Sequence, residues 1–150
     1  MNPRFVLLGF LVLVVGGGLA IGFLTAPGVW YAGLAKPSFN PPGWVFAPVW
    51  TVLYVLIAVA GWRTWCQDPR GWSMRLWWVQ LALNFAWSPV FFFAHQVGLA
   101  LVVILLLLSA ILIFIATCWR SDPLTSWLFS PYAAWVGFAS LLNGSIFALN

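Results

Sequence analysis

The sequence predicts an all-α integral membrane protein built as a five-transmembrane-helix bundle. Three observations carry this reading. Of 150 residues, 64% are hydrophobic and only 5% are charged, where a soluble domain of this size carries roughly 25% charged residues. Five apolar segments can be drawn, near 5–25, 44–65, 74–95, 97–118 and 127–148, each long enough for a hydrocarbon core of about 30 Å. The cations are also sorted: with five spans, Arg4, Arg63, Arg70, Arg75 and Arg120 share one side, and Lys36 stands alone on the other. One membrane domain, 1–150, accounts for the whole sequence.

The first apolar run, Phe5 to Leu24, follows Arg4. It is longer than the roughly 7–15 residues of a signal-peptide core, and no small-x-small cleavage site follows, so it is read as a retained helix. Gly18 and Gly22 form a GxxxG pair, which permits close approach of a neighbour in the bundle or of a second copy. Residues 26–43 form the one long connection and contain Pro27, Pro37, Pro41 and Pro42. Proline fixes φ and extends the residue before it, so this loop is stiff. It is either a lid over a binding site or a passive crossover with Trp30 and Tyr31 in the interfacial aromatic belt.

The second span carries Phe46, Trp50, Leu53, Tyr54 and Ile57 at helical spacing. Such an aromatic stripe serves core packing or forms one wall of a pocket. The third span carries Gln80, Asn84, Ser88 and His95 at i, i+4, i+8 and i+15, flanked by Trp87 and Phe91. Polar groups are costly in lipid, so this face turns inward. It either bonds between helices or lines an apolar pocket with a few polar anchors. Pro89 is expected to kink this helix, and Ala82 with Ala86 gives a second pair of small residues four apart. The fourth span, Val97 to Cys118, is almost wholly aliphatic or aromatic. The fifth places Trp135, Ala139, Leu142 and Asn143 on one face, with a small residue one turn from a tryptophan leaving a recess beneath the indole.

Cytoplasmic loops are enriched in Lys and Arg. The charge split therefore predicts a cytoplasmic amino terminus, an external carboxyl terminus and an external proline-rich loop. No basic patch is large enough for nucleic acid, so the expected partner is the lipid bilayer. The only acids, Asp68 and Asp122, fall in loops on the arginine side without an evident partner, and no span holds Asp, Glu or Lys. A hydrolytic site or a proton-coupled pathway within the membrane is therefore not indicated. His95 is read as an interfacial residue, because a metal needs several convergent ligands. Cys66 and Cys118 lack metal-ligand spacing and are expected to pack as small hydrophobes.

Three segments carry a resemblance. W-Y-x-x-L-x-K-P-x-x-x-P-P-x-W-x-F-x-x-x-W-x-x-L-Y at 30–54, L-A-L-N-F-A-W-S-P-V-F-F at 81–92 and P-Y-A-A-W-V-G-F-A-S-L-L-N at 131–143 together resemble the tryptophan-rich sensory protein / translocator protein family (TspO/MBR, the peripheral-type benzodiazepine receptor). The resemblance spans nearly the whole chain in the right order. It implies a five-helix bundle, commonly a homodimer, that binds porphyrins such as protoporphyrin IX, flat synthetic ligands and sometimes sterol. It implies no required cofactor. Trp50 and Asn84 match positions that hydrogen-bond a ligand carbonyl, Trp135 matches a wall residue, and Ala139 matches a site where added bulk alters binding. Phe46, Tyr54, Trp87, Phe91 and Leu142 complete the expected ligand-binding set. Trp30, Tyr31, Pro41 and Pro42 match the lid. One departure is visible: Asn143 is followed by G-S-I-F-A-L-N, without the Tyr and Arg of the family's sterol motif, and sterol binding through it is not expected.

Three functions follow as expectations: a receptor or carrier for tetrapyrroles, a light- and oxygen-dependent porphyrin-degrading activity using Trp50 and Trp135, and a membrane scaffold or assembly partner.

Overall fold

The computed structural model describes residues 2–150. It contains five helices long and apolar enough to cross a membrane: α1 (Pro3–Leu24), α2 (Gly43–Gln67), α3 (Trp72–Phe93), α4 (Val97–Cys118) and α5 (Pro123–Leu149). Among the described residues there is no strand. The segment between α1 and α2 holds a single helical turn, Val29–Ala32.

Local chemistry sets the helix ends. Asn2 caps α1 by accepting the Arg4 amide at 3.0 Å, and Pro3 occupies the first helical position. Pro41 and Pro42 precede the tight first turn of α2, and Pro69 follows its last residues. Asp122 caps α5, accepting the Thr125 amide at 3.4 Å, with Pro123 at the first helical position. The expected disturbance at Pro89 is a π-helical turn, Pro89–Phe93, in which the Ala94 amide reaches back five residues to the Pro89 carbonyl at 2.9 Å. His95 then adopts φ 57°, a left-handed conformation that ends α3.

The closest packing runs α1–α2, α2–α5, α5–α4 and α4–α3, and the far part of α1 touches α3. The bundle is thus a ring in the order 1-2-5-4-3. Its two ends differ. At the arginine-bearing end the ring is filled: Trp77 is wholly buried, donates to the Ile57 carbonyl at 3.0 Å, and meets Phe10 edge-on with ring centroids 5.0 Å apart. Gly61 makes room for that indole, since a Cβ at this position would overlap it. Apolar side chains such as Phe23, Leu105 and Leu106 point outward, as a lipid-facing surface requires. At the long-loop end the ring is hollow.

Two sequence expectations change here. Asp122 does have partners. It is buried, and it accepts Arg63 Nη2 at 2.9 Å, Arg63 Nε at 3.1 Å and Gln67 Nε2 at 2.8 Å, with the Thr125 hydroxyl also on it. Arg63 and Gln67 lie 59 and 55 positions away on α2, a separation that loop reading cannot bridge. Cys118 is buried as expected, but Cys66 is exposed, because its face of α2 turns away from the ring.

Candidate ligand-binding site

The hollow end is a cavity of about 540 Å3 between the ring and the long loop, within the range of small-molecule sites. Every helix contributes. From α2 come Phe46, Trp50 and Tyr54, four residues apart and therefore stacked on one face. From α3 come Asn84, Trp87 and Phe91, and from α5 come Trp135, Ala139 and Leu142. All nine residues expected from the sequence thus line one cavity. Of the four lid residues, Tyr31 and Pro41 line it, whereas Trp30 and Pro42 do not. Trp30 instead stacks on His95 at 4.1 Å between centroids, with its edge on Phe91. It braces the lid from behind.

The walls are mostly aromatic. Trp50 lies against Tyr54 at 5.4 Å, and Phe46 meets Trp135 edge-on at 5.7 Å. Ala139 is the small residue one turn beyond Trp135, and the recess expected there is part of the cavity. On α1, Gly22 borders the cavity with nothing near an added Cβ, while Gly18 is covered by the Tyr54 ring.

Polar groups divide into satisfied and free. Trp87 donates to Asn143 Oδ1 at 3.0 Å, and Asn143 donates onward to the Val97 carbonyl at 3.0 Å, so this pair ties α3, α4 and α5. Thr25 and Ser88 share a hydroxyl hydrogen bond at 2.5 Å, holding the end of α1 to α3. Asn84 Nδ2 donates to Tyr132 Oη at 2.6 Å. One of the two Nδ2 hydrogens is therefore engaged by the protein, and Oδ1 accepts from no protein group. Trp135 Nε1 and Asn40 Oδ1 are buried without a protein partner, and both residues line the cavity. An unpaired buried polar group costs about 1–3 kcal/mol, and both atoms are covered by the protein, so a side-chain rotation is needed to bring either onto a ligand.

The long loop is fastened at two points, Trp30 and Ala35. Asn150 on α5's end pairs both amide atoms with one residue of the loop: the Ala35 N–H donates to Oδ1 at 3.0 Å, and Nδ2 donates to the Ala35 carbonyl at 2.9 Å. Lys36 donates to the Leu34 carbonyl at 3.1 Å and sits 4.5 Å from the Tyr31 ring centre. Burial pushes the Tyr31 phenol above its ordinary value of 10.0, so it stays a neutral O–H at the mouth.

Sequence reading missed Asn40, Tyr132 and the α4 wall of Ile104 and Leu107. Tyr132 carried a signal, since it lies three residues before Trp135 on the same helix. Asn40 stands out only as an amide between an aromatic residue and a proline pair. The α4 residues sit in a featureless aliphatic run and carry no signal at all.

The comparisons with known proteins agree with this architecture. Residues 10–149 match the TspO/MBR family. The chain is 38% identical to the tryptophan-rich protein TspO of Archaeoglobus fulgidus, covering 96% of each chain. It is 35% identical to the tryptophan-rich sensory protein of Cereibacter sphaeroides, over 100% of this chain and 95% of that one. It is 41% identical to the human translocator protein, over 76% of this chain and 70% of that one. The five apolar helices and this match together make the chain an integral membrane protein that belongs to the TspO/MBR family.

Proposed function

We propose that the protein is a membrane receptor or carrier for porphyrins such as protoporphyrin IX and other flat apolar ligands, acting in tetrapyrrole regulation or stress response. The observation that carries this reading is the aromatic-walled cavity of about 540 Å3 to which all five helices contribute. Aromatic walls stack on a flat macrocycle, and a few polar lining residues, Asn84 among them, orient its polar edge. Relatives named as a sensory protein and a translocator protein support a receptor or carrier role. No resident cofactor is needed for binding of this kind.

We place the amino terminus in the cytoplasm and the lid outside, on the arginine distribution. A homodimer is part of the same reading. Gly18 is covered by Tyr54 within the chain, whereas Ala82 is exposed, so α3 is the face we assign to a second copy.

A second reading has its own observation. Trp50 and Trp135 both face the cavity, and the Trp135 N–H is unpaired. A bound porphyrin would lie against both indoles, as light- and oxygen-dependent breakdown requires. The test is a protoporphyrin IX titration in the dark, then illumination, on the parent, Asn84→Ala and Trp135→Phe. The receptor reading expects saturable binding weakened by both substitutions and no loss of porphyrin beyond that of free pigment under light. Product that forms in the parent and stops with Trp135→Phe, binding retained, favours the enzyme. Non-saturable uptake, equal in all three proteins, sinks both.

A further inference from the structure

Below Asn84 lies a polar group that no ligand reaches. Gln80 sits one turn away on α3, wholly buried and outside the cavity lining. Tyr132, also wholly buried, connects the two across the bundle from α5. Asn84 Nδ2 donates to Tyr132 Oη at 2.6 Å, and the Tyr132 hydroxyl donates to Gln80 Oε1 at 2.8 Å. Gln80 Nε2 has no partner. In this order Asn84 turns its acceptor, Oδ1, toward the cavity.

Each of the three groups can both donate and accept. Turning the two amides over and rotating the hydroxyl reverses every bond while the chain stays in place. Gln80 Nε2 then donates to Tyr132, Tyr132 donates to Asn84 Oδ1, and Asn84 presents Nδ2 to the cavity. The atom left unpaired becomes a carbonyl oxygen instead of an N–H, and a buried carbonyl tolerates this better. The two orders therefore lie close in energy, and a ligand atom at Asn84 is enough to select between them.

We infer that Gln80–Tyr132–Asn84 is a reversible hydrogen-bond relay that sets the polarity of the cavity floor. A ligand with an edge carbonyl or carboxylate draws out the Asn84 N–H. A ligand with an N–H or a protonated acid draws out its oxygen. Gln80 is a positioning residue: it decides what Asn84 offers without touching the ligand. The inference rests on the cavity being the ligand site.

The experiment replaces the far end of the relay. In Gln80→Leu the Tyr132 hydroxyl keeps a single acceptor, Asn84 Oδ1, which locks Nδ2 toward the cavity. Two flat probes read the polarity by tryptophan quenching: N,N-diethyl-2-naphthamide, which only accepts, and carbazole, which only donates. The ratio of the carbazole Kd to the naphthamide Kd should rise about fivefold or more in Gln80→Leu, the size of one net hydrogen bond. Gln80→Met, which also lacks oxygen and nitrogen, should shift it the same way and carries the test if the leucine variant does not fold. Tyr132→Phe frees both functions of Asn84 and should return the ratio toward the parent value. An unchanged ratio, with both probes weakened equally or not at all, overturns the relay and leaves Gln80 a packing residue. A dark protoporphyrin IX titration on the same preparations separates the failures. If protoporphyrin saturates while the ratio stays fixed or the probes do not bind, the relay alone falls; if neither protoporphyrin nor the probes saturate the parent, the cavity reading falls and takes the relay with it.

Discussion

Asp122 and Gly61 show how single residues hold the arginine-bearing end together. The Arg63 guanidinium holds the Asp122 carboxyl at about 2, below its ordinary 3.8, with burial acting in the opposite direction and Thr125 assisting. A depressed carboxyl stabilises the fold in its ionised form. That contribution is complete above the unfolded value and is lost as pH falls through the folded one. The Arg63 side of the pair is 31% exposed, so solvent screening holds the stability it supplies to about 1–2 kcal/mol. Asp122→Asn is expected to lower unfolding stability by about this amount at neutral pH and to flatten the acid dependence between roughly pH 4 and 2. Thermal unfolding in detergent across that range measures both, and a variant that melts like the parent at pH 7 contradicts the assignment. At Gly61 a methyl group would overlap the buried Trp77 ring, which has no room to move. Gly61→Ala should cost about 1–3 kcal/mol by overpacking. Gly22→Ala, with open space at its Cβ, should be neutral or slightly stabilising through helix propensity. Equal melting temperatures for the two variants would contradict the packing described.

At the scale of elements, the helices were legible and their partners were not. A span of apolar residues announces itself by length, and all five were found within a few residues of their ends. The stripes Phe46–Trp50–Tyr54 and Asn84–Trp87–Phe91 were legible too, because helical periodicity places such residues on one face whatever that face meets. Which helices face each other depends on contacts between distant positions. The Arg63–Asp122 pair, the Trp87–Asn143 bond and the Asn150–Ala35 clasp join residues 59, 56 and 115 positions apart. The lid illustrates the consequence. Its prolines predicted stiffness, but its two fastenings, Trp30 on His95 and Ala35 on Asn150, came from the ends of α3 and α5, distant from the loop in sequence. Asn150→Ala removes both hydrogen bonds of the clasp. It is expected to raise amide exchange across residues 33–37 by about tenfold, while exchange in α2–α5 stays unchanged. Unaltered loop exchange would mean that Asn150 does not hold the lid.

For the whole molecule, the ring order 1-2-5-4-3 divides the bundle into a solid half and a hollow half. The solid half is fixed by Trp77, Phe10 and the Asp122 cluster. The hollow half is kept open by small residues, Gly22 and Ala139, beneath large ones that prop the walls apart. The central claim is that one tetrapyrrole occupies the hollow half. The most direct measurement is a dark protoporphyrin IX binding isotherm on the parent and on Ala139→Leu, with melting temperature recorded for both. Leucine at this position fills the recess beside Trp135. The account predicts saturable binding to a single site per chain in the parent, weakened about tenfold or more in Ala139→Leu at an unchanged melting temperature. Isotherms that coincide, or that rise without saturating in both proteins, contradict it.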